Sequence, residues 1–263
     1  MKKFFVIGNP IEHSLSPKLH NYWIQSNNLK AVYDKIKLDL SELDNLIKDV
    51  RENKIDGINV TVPFKNSVIP FLDKLSNEAE KTQSVNTIYL RDGMVIGHNT
   101  DIKGFELAIK HTNYDIFEKK VLILGAGGVS PSIIVALNNM GVKKIFISNR
   151  TQSKAENLKK TFSEIEVVKW GTMPDFDMII NATSLGLKND ESIPLDYSKI
   201  STEKFFYDVI YNPSETNFLR SAEKNGNKIE NGKKMFIYQA QAAFKIWNSL
   251  EPQVDDKVME LLS

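Results

Sequence analysis

Short unbroken apolar runs alternate with stretches whose apolar residues recur every three or four positions, and the alternation continues along almost the whole chain. Runs of the first kind suit strands buried on both faces and stretches of the second kind suit amphipathic helices, so the pattern predicts βα units around mostly parallel sheets. Residues 4–7 read as the first strand, and Ser16-Pro17 as the N-cap and first position of a helix. A second strand is predicted near 31–38, a capping-box-like helix start at Ser41-Glu42-Leu43-Asp44, and a third strand over 58–62 that Pro63 ends. The runs 85–90 and 94–96 flank Arg91-Asp92-Gly93, a hairpin signal. Beyond it the spacing predicts helices over 102–111 and 131–140, strands over 121–124, 144–148, 177–180 and 205–209, and helices over 235–250 and 254–262. No repeat, low-complexity tract or Gly/Ser linker marks a boundary, so the boundary is inferred from motifs and placed close to Asp101.

At 263 residues the chain is long enough for two domains of ordinary size. Its 34 basic and 33 acidic residues leave a formal charge of +1, which supplies no net attraction to nucleic acid or an anionic membrane, and neither partner is expected. The absence of cysteine excludes disulfides, zinc–thiolate sites and thiol nucleophiles. Four histidines, His13, His20, His98 and His111, are scattered and form no helical ligand pair, so no metal site is expected. The apolar run after Met1-Lys2-Lys3 is too short for a signal peptide, and no run approaches the roughly 18 apolar residues of a membrane span. A cytoplasmic protein in a reducing compartment is expected.

The run 121–124 leads directly into Gly125-Ala126-Gly127-Gly128-Val129-Ser130 and then into a predicted helix. That order suits a dinucleotide pyrophosphate: the first glycine permits the tight turn, the next lets backbone N–H groups approach the phosphates, and the helix N-terminus adds partial positive charge. Ser130 replaces the usual third glycine and is still small enough for close packing. The alternative is a turn with a purely structural role. The second strand of this unit ends in Asn149-Arg150-Thr151, where an NAD enzyme usually carries Asp or Glu on the ribose 2′-hydroxyl. Arg150 offers a planar fork to a 2′-phosphate, with Lys154 one turn on, which favours NADP. Thr151 as a plain N-cap beside two solvated cations is the other reading.

In the first unit Ser14 and Ser16 put two hydroxyls at a helix start, suited to a carboxylate, and Asn59 and Thr61 alternate onto one face of a predicted strand. Lys65 follows Pro63 by two residues, and Asn86 and Asp101 stand in Val85-Asn86-Thr87 and Asn99-Thr100-Asp101. Taken singly, Ser16 can be a cap, Asn86 a turn residue and Lys65 a surface lysine.

Taken together, the order and spacing of these strings resemble the shikimate dehydrogenase family. The likeness runs nearly end to end, through 8–17, 59–65, 85–87, 99–101, 125–130, 149–151, 181–184, 208–213 and 232–239. The resemblance implies a two-domain α/β protein. Residues 1–101 would form a substrate-binding and catalytic domain, 102–234 a Rossmann-type NADP domain with a parallel sheet, and 235–263 helices returning to the first domain, with a cleft between the two. It implies the NADP-dependent reversible reduction of 3-dehydroshikimate to shikimate in aromatic amino-acid biosynthesis, on a small-molecule substrate, by a monomer or homodimer. Lys65 would be the catalytic lysine and Asp101 its partner. Ser14 and Ser16 would hold the substrate carboxylate; Thr61, Asn86, Asp101 and Gln239, with Asn59 among the contacts, would hold the ring hydroxyls. Tyr211 would close over the substrate, and Val209 and Gly232 would approach the nicotinamide.

Three positions depart from the family pattern: Ile102 and Lys234 stand where glycine is common, and Ser84 where alanine or glycine is usual. None removes a group the reaction needs. A dehydrogenase acting on quinate as well as shikimate, or a non-catalytic ligand sensor on the same fold, are the alternatives. Ser16 weighs against the first, and the presence of both Lys65 and Asp101 against the second.

Overall fold

Lys2–Gly8 forms β1, whose alternate residues Phe4 and Val6 are as buried as Ile7, so both of its faces are covered. In the computed structural model, which describes residues 1–188 and 191–262, β1 lies between two parallel neighbours, β2 (Ala31–Lys37) and β3 (Gly57–Val60). The crossovers are α1 (Ser16–Ser26) and α2 (Leu43–Arg51). In α2 the positions Leu43, Leu46, Ile47 and Val50 form a buried stripe that joins Ile58, Ile88 and Val95 in one core, while its acidic and basic residues alternate outside. The sheet continues through β4 (Lys74–Leu75), α3 (Asn77–Thr82), β5 (Thr87–Arg91) and β6 (Met94–His98), in the order β2-β1-β3-β5-β6-β4. At the β5–β6 turn Asp92 and Gly93 both take positive φ, 52° and 74°, the backbone a two-residue hairpin of matching twist requires.

After α4 (Asp101–Lys110) come β7 (Lys120–Leu124), α5 (Ser130–Asn139), β8 (Lys144–Ser148), α6 (Gln152–Thr161), β9 (Glu166–Val167), β10 (Met178–Asn181), β11 (Phe205–Asp208), α7 (Asn217–Lys224) and β12 (Lys228–Glu230). These six strands are parallel and ordered β12-β11-β10-β7-β8-β9, the doubly wound arrangement in which strand order reverses between β7 and β10. Ligands sit outside the carboxyl ends of the strands at such a reversal. The unbroken apolar runs predicted this: Leu122, Ile123, Ile179 and Ile180 are fully buried.

The chain forms two compact units, Met1–Gly104 with the residues from Ile237 onward, and Phe105–Phe236. The C-terminal helices α8 (Lys233–Asn248) and α9 (Asp256–Leu261) therefore bring the chain back to the first unit from Ile237 on. Trp247 shows how: its indole N–H donates to the Ile88 carbonyl at 3.1 Å, its ring stacks on Phe4 at 4.9 Å, and a Cβ on Gly57 would collide with it. Trp23 Nε1 likewise donates to the Gln253 carbonyl at 3.0 Å. Among the described residues no helix is long and apolar enough to cross a membrane.

Several local expectations change. Ser16 is not an N-cap: Leu15 occupies that position without a side-chain cap bond, and Ser16 is the first helical residue, its hydroxyl buried toward Tyr33. The capping box is Asp39 with Glu42, flanking a short 3₁₀ turn ahead of α2, and not one starting at Ser41. The third strand stops at Val60, although the Thr61 N–H still donates to the Ile7 carbonyl at 2.9 Å. The short strands β4, β9 and β12 carry too few residues to show a period.

Candidate active site

Lys65 follows β3 on a turn in which the Phe64 N–H bonds the Thr61 carbonyl, and its own carbonyl accepts the Val85 N–H at 2.8 Å, which ties it beside the 84–86 segment. Asp101 opens α4. Its N–H and that of Ile102 donate to Asn99 Oδ1 at 3.0 and 3.4 Å, so Asn99 acts as the cap, while the Asn99 amide donates to Thr82 Oγ1 and the Ser84 carbonyl. The two segments bring Lys65 Nζ to 2.5 Å from Asp101 Oδ2, with side chains only 13% and 7% exposed. A lysine this buried and ion-paired is not the solvated surface lysine of the bland reading.

The other Asp101 oxygen accepts from Asn86 Nδ2 at 2.9 Å, and the same amide donates to Thr100 Oγ1 (2.9 Å) and Gln239 Oε1 (3.3 Å). Asn86 Oδ1 in turn accepts from the Thr100 N–H at 2.8 Å and the Thr87 hydroxyl at 3.0 Å. Asn86 is thus a buried hub that orients the carboxylate. Asn59 stands behind it: its amide donates to the Asn86 carbonyl and Thr87 Oγ1, and its Oδ1 accepts the Tyr33 hydroxyl at 2.7 Å. With both ends of its amide so engaged, Asn59 buttresses the hub. Tyr33 is itself buried, held protonated by desolvation and stacked on His20 at 4.1 Å. A continuous polar chain therefore runs from Tyr33 through Asn59 and Asn86 to Asp101 and Lys65.

Ser14 Oγ accepts the Ser16 N–H at 3.3 Å, which ties the Ser14 side chain to the start of α1. Their loop is braced by Glu12, whose carboxylate accepts from the Lys37 ammonium at 2.8 Å and the Ile11 N–H at 3.0 Å. The bond from Lys37, then backbone donors, hold Glu12 down to about 2. Thr61 abuts Gly8: a Cβ there would meet Thr61 Cγ2 at 2.6 Å. Of the departures, Ser84 is fully buried and Ile102 nearly so.

In the second unit Gly125 has φ of +110°, and a Cβ there would meet the Ala182 carbonyl oxygen at 2.8 Å, so the turn requires glycine. Ser130 does more than pack: fully buried, its hydroxyl donates to the Gly125 carbonyl at 2.9 Å and accepts the Gly127 N–H at 3.2 Å, locking the turn onto α5. A Cβ on Gly127 would meet nothing within 4 Å, leaving the open cradle a pyrophosphate needs. Asn149 Oδ1 accepts the Ala126 N–H at 3.0 Å and its amide donates to the Thr151 carbonyl, joining the glycine turn to the end of β8. Arg150, Thr151 and Lys154 are exposed there; Thr151 holds the cap position of α6 without a side-chain cap bond. Gly128 and Val129 complete the turn. Gly232 lies against the Val209 carbonyl, where any side chain would clash, and its N–H donates to the Ile210 carbonyl at 3.0 Å. Tyr211 stacks on Phe236 at 4.5 Å, and Lys234 forms an ion pair with Glu230 at 3.0 Å. These features fit a dinucleotide with a 2′-phosphate.

Tyr33 escaped the sequence analysis, because an aromatic residue in a strand reads as core, and Asn99 and Thr100 stand there only within the Asn99-Thr100-Asp101 string, with no role of their own. The sequence matches two family descriptions, "Shikimate dehydrogenase substrate binding domain" over residues 6–88 and "Shikimate / quinate 5-dehydrogenase" over 106–188. It is 60% identical, over 99% of this chain and 98% of the relative, to the NADP(+) shikimate dehydrogenase of Pelagibacter ubique. The crystal structure of shikimate dehydrogenase from Aquifex aeolicus superposes with a TM-score of 0.90 at 37% identity, covering 100% of this chain and 97% of that one. That of Thermus thermophilus shikimate 5-dehydrogenase with NADP(H) and shikimate superposes with 0.90 at 33% identity, covering 100% and 98%. With these likenesses spanning the whole sequence, the chain belongs to the shikimate dehydrogenase family.

Proposed function

We infer that the chain catalyses the NADP-dependent, reversible reduction of 3-dehydroshikimate to shikimate, a step of aromatic amino-acid biosynthesis. The observation that carries this is the buried Lys65–Asp101 pair at 2.5 Å, oriented by Asn86, in a chain 60% identical to an NADP(+) shikimate dehydrogenase. NADPH, when bound, supplies the hydride. The protein must supply a proton for the oxygen of the reduced carbonyl and hold the ring in place.

Lys65 does the first. Its ammonium stabilises negative charge on the oxygen and delivers a proton from Nζ; in the reverse direction the neutral amine takes the hydroxyl proton back. Asp101 keeps the lysine positioned, and Asn86 keeps the Asp101 carboxylate from rotating with it. Ser14 and Ser16 hold the substrate carboxylate; Thr61, Asn86, Asp101 and Gln239 hold ring hydroxyls, with Asn59 behind them; Tyr211 covers the substrate. Gly125, Ala126, Gly127, Gly128 and Val129 take the pyrophosphate, Val209 and Gly232 lie at the nicotinamide end, and Asn149, Arg150, Thr151 and Lys154 take the 2′-phosphate. In this reading residues 1–101 and 235–263 serve the substrate, and 102–234 the cofactor.

Initial rates with shikimate and quinate, each against NADP and NAD, test the assignment. The highest kcat/KM is expected for shikimate with NADP. A preference for quinate or for NAD would overturn it.

A further inference from the structure

At the carboxyl ends of β10 and β11, Asn181 and Asp208 are both fully buried. Asp208 Oδ1 accepts from the Ile210 N–H and from the Asn181 amide, each at 3.0 Å, and Oδ2 accepts the Thr216 hydroxyl at 2.6 Å. Asn181 also donates to the Leu185 carbonyl at 3.0 Å, and its Oδ1 accepts the Thr183 N–H and hydroxyl at 3.0 and 2.7 Å. One carboxylate thereby ties together the loop after β10, the loop after β11 and the N-cap of α7. Both loops border the cofactor residues. The first carries the Ala182 carbonyl against Gly125, and the second carries Val209 and Ile210 against Gly232.

All three donors are neutral, and among the described residues no lysine, arginine or histidine forms an ion pair with Asp208. The titratable groups facing it are Tyr197 and Tyr207, both held protonated by burial, with Glu230 acting on Tyr207 from β12; from β10 and the N-cap of α7 the neutral Asn181 and Thr216 donate to it. Burial without a counter-charge pushes Asp208 up to about 6, against the pull of its three hydrogen bonds. Its charge therefore changes just below neutral pH.

We propose that Asp208 is a positioning residue for the cofactor: its charged carboxylate sets the two loops beside the glycine turn, and NADP affinity follows that charge. The proposal rests on the reading of Val209 and Gly232 as nicotinamide-end contacts. Calorimetric titration of NADP into the wild type and Asp208→Asn, between about pH 5 and 8, tests it. The 2′-phosphate also titrates near 6, so the ratio of the two dissociation constants at each pH is the quantity to read. The variant should bind about tenfold more weakly at the alkaline end, the difference between a charge-assisted and a neutral hydrogen bond, and equally at the acid end. A ratio that does not change with pH overturns the proposal. Should the variant not fold, the Ile210 amide resonance of the wild type decides: it should titrate with a midpoint near 6, and a flat response refutes the role. The reading of the site fails separately, if NADP binds without shifting the Val209 and Gly232 amide resonances.

Discussion

Replacing Lys65 by methionine removes the ammonium while keeping most of the bulk of the stem, and it separates the chemical from the structural use of the ion pair. The pair is short, 2.5 Å, and its side chains are 13% and 7% exposed, so the change leaves the Asp101 carboxylate buried without its cation. Removing one partner of a buried pair costs about 3–5 kcal/mol. Asp101 keeps the Asn86 amide at 2.9 Å, which argues for the low end, about 3 kcal/mol, or a fall of about 6–12 °C in the Tm of a domain this size. The same substitution removes the proton donor, and kcat should drop by at least about 100-fold with a far smaller change in KM. Adding Asp101→Asn removes the stranded charge. The double variant should regain most of the lost Tm and none of the lost kcat, as read by circular dichroism and by NADPH oxidation. A Lys65→Met enzyme with kcat within a few-fold of wild type would refute Lys65 as proton donor, and a double variant as unstable as the single would refute the stranded-charge argument.

Three further outcomes are expected. Arg150→Ala together with Lys154→Ala should weaken NADP binding by about 10- to 150-fold, flatten its salt dependence and leave NAD binding nearly unchanged; equal losses for both cofactors in calorimetry would withdraw the 2′-phosphate role. Ser14→Ala with Ser16→Ala removes two hydrogen bonds to a charged group, each worth about 1.5–3 kcal/mol, so KM for shikimate should rise steeply while NADP affinity holds; the opposite pattern would assign the first unit wrongly. His20 is 1% exposed, neither ring nitrogen has a hydrogen-bond partner among the described residues, and burial lowers it to about 3. Its pKa is depressed in the folded state, so the associated stability is complete above about 6.5 and is lost toward about 3, at roughly 1.4 kcal/mol per pH unit. Denaturant midpoints of wild type and His20→Phe should therefore diverge as pH falls from about 7 to 4, and parallel losses would refute that origin.

What the sequence determined by itself is what local chemistry encodes. Unbroken apolar runs such as 121–124 mark strands covered on both faces, the stripe through Leu43, Leu46, Ile47 and Val50 marks a helix on a core, and Asp92-Gly93 fits a turn that needs two positive φ angles. The glycine turn between β7 and α5, with Arg150 after the next strand, carried the cofactor class, because backbone access and the charge beside it are properties of a short segment. Tertiary structure alone decided who partners whom. Lys65 and Asp101 are 36 residues apart, and Asn86 and Gln239 are 153 apart; no local propensity distinguishes them from a surface lysine, a cap, a turn residue and a helix-face glutamine. Asn59 is held by bonds at both ends of its amide, which its alternation with Thr61 along the chain does not show, and Tyr33 joins the polar chain because β2 carries its hydroxyl to Asn59. Asp208 looks like any carboxylate at the end of a strand. Only packing that excludes water and brings no cation makes its charge costly, since the energy of a buried charge depends on everything that surrounds it in space and on little that precedes it in the chain.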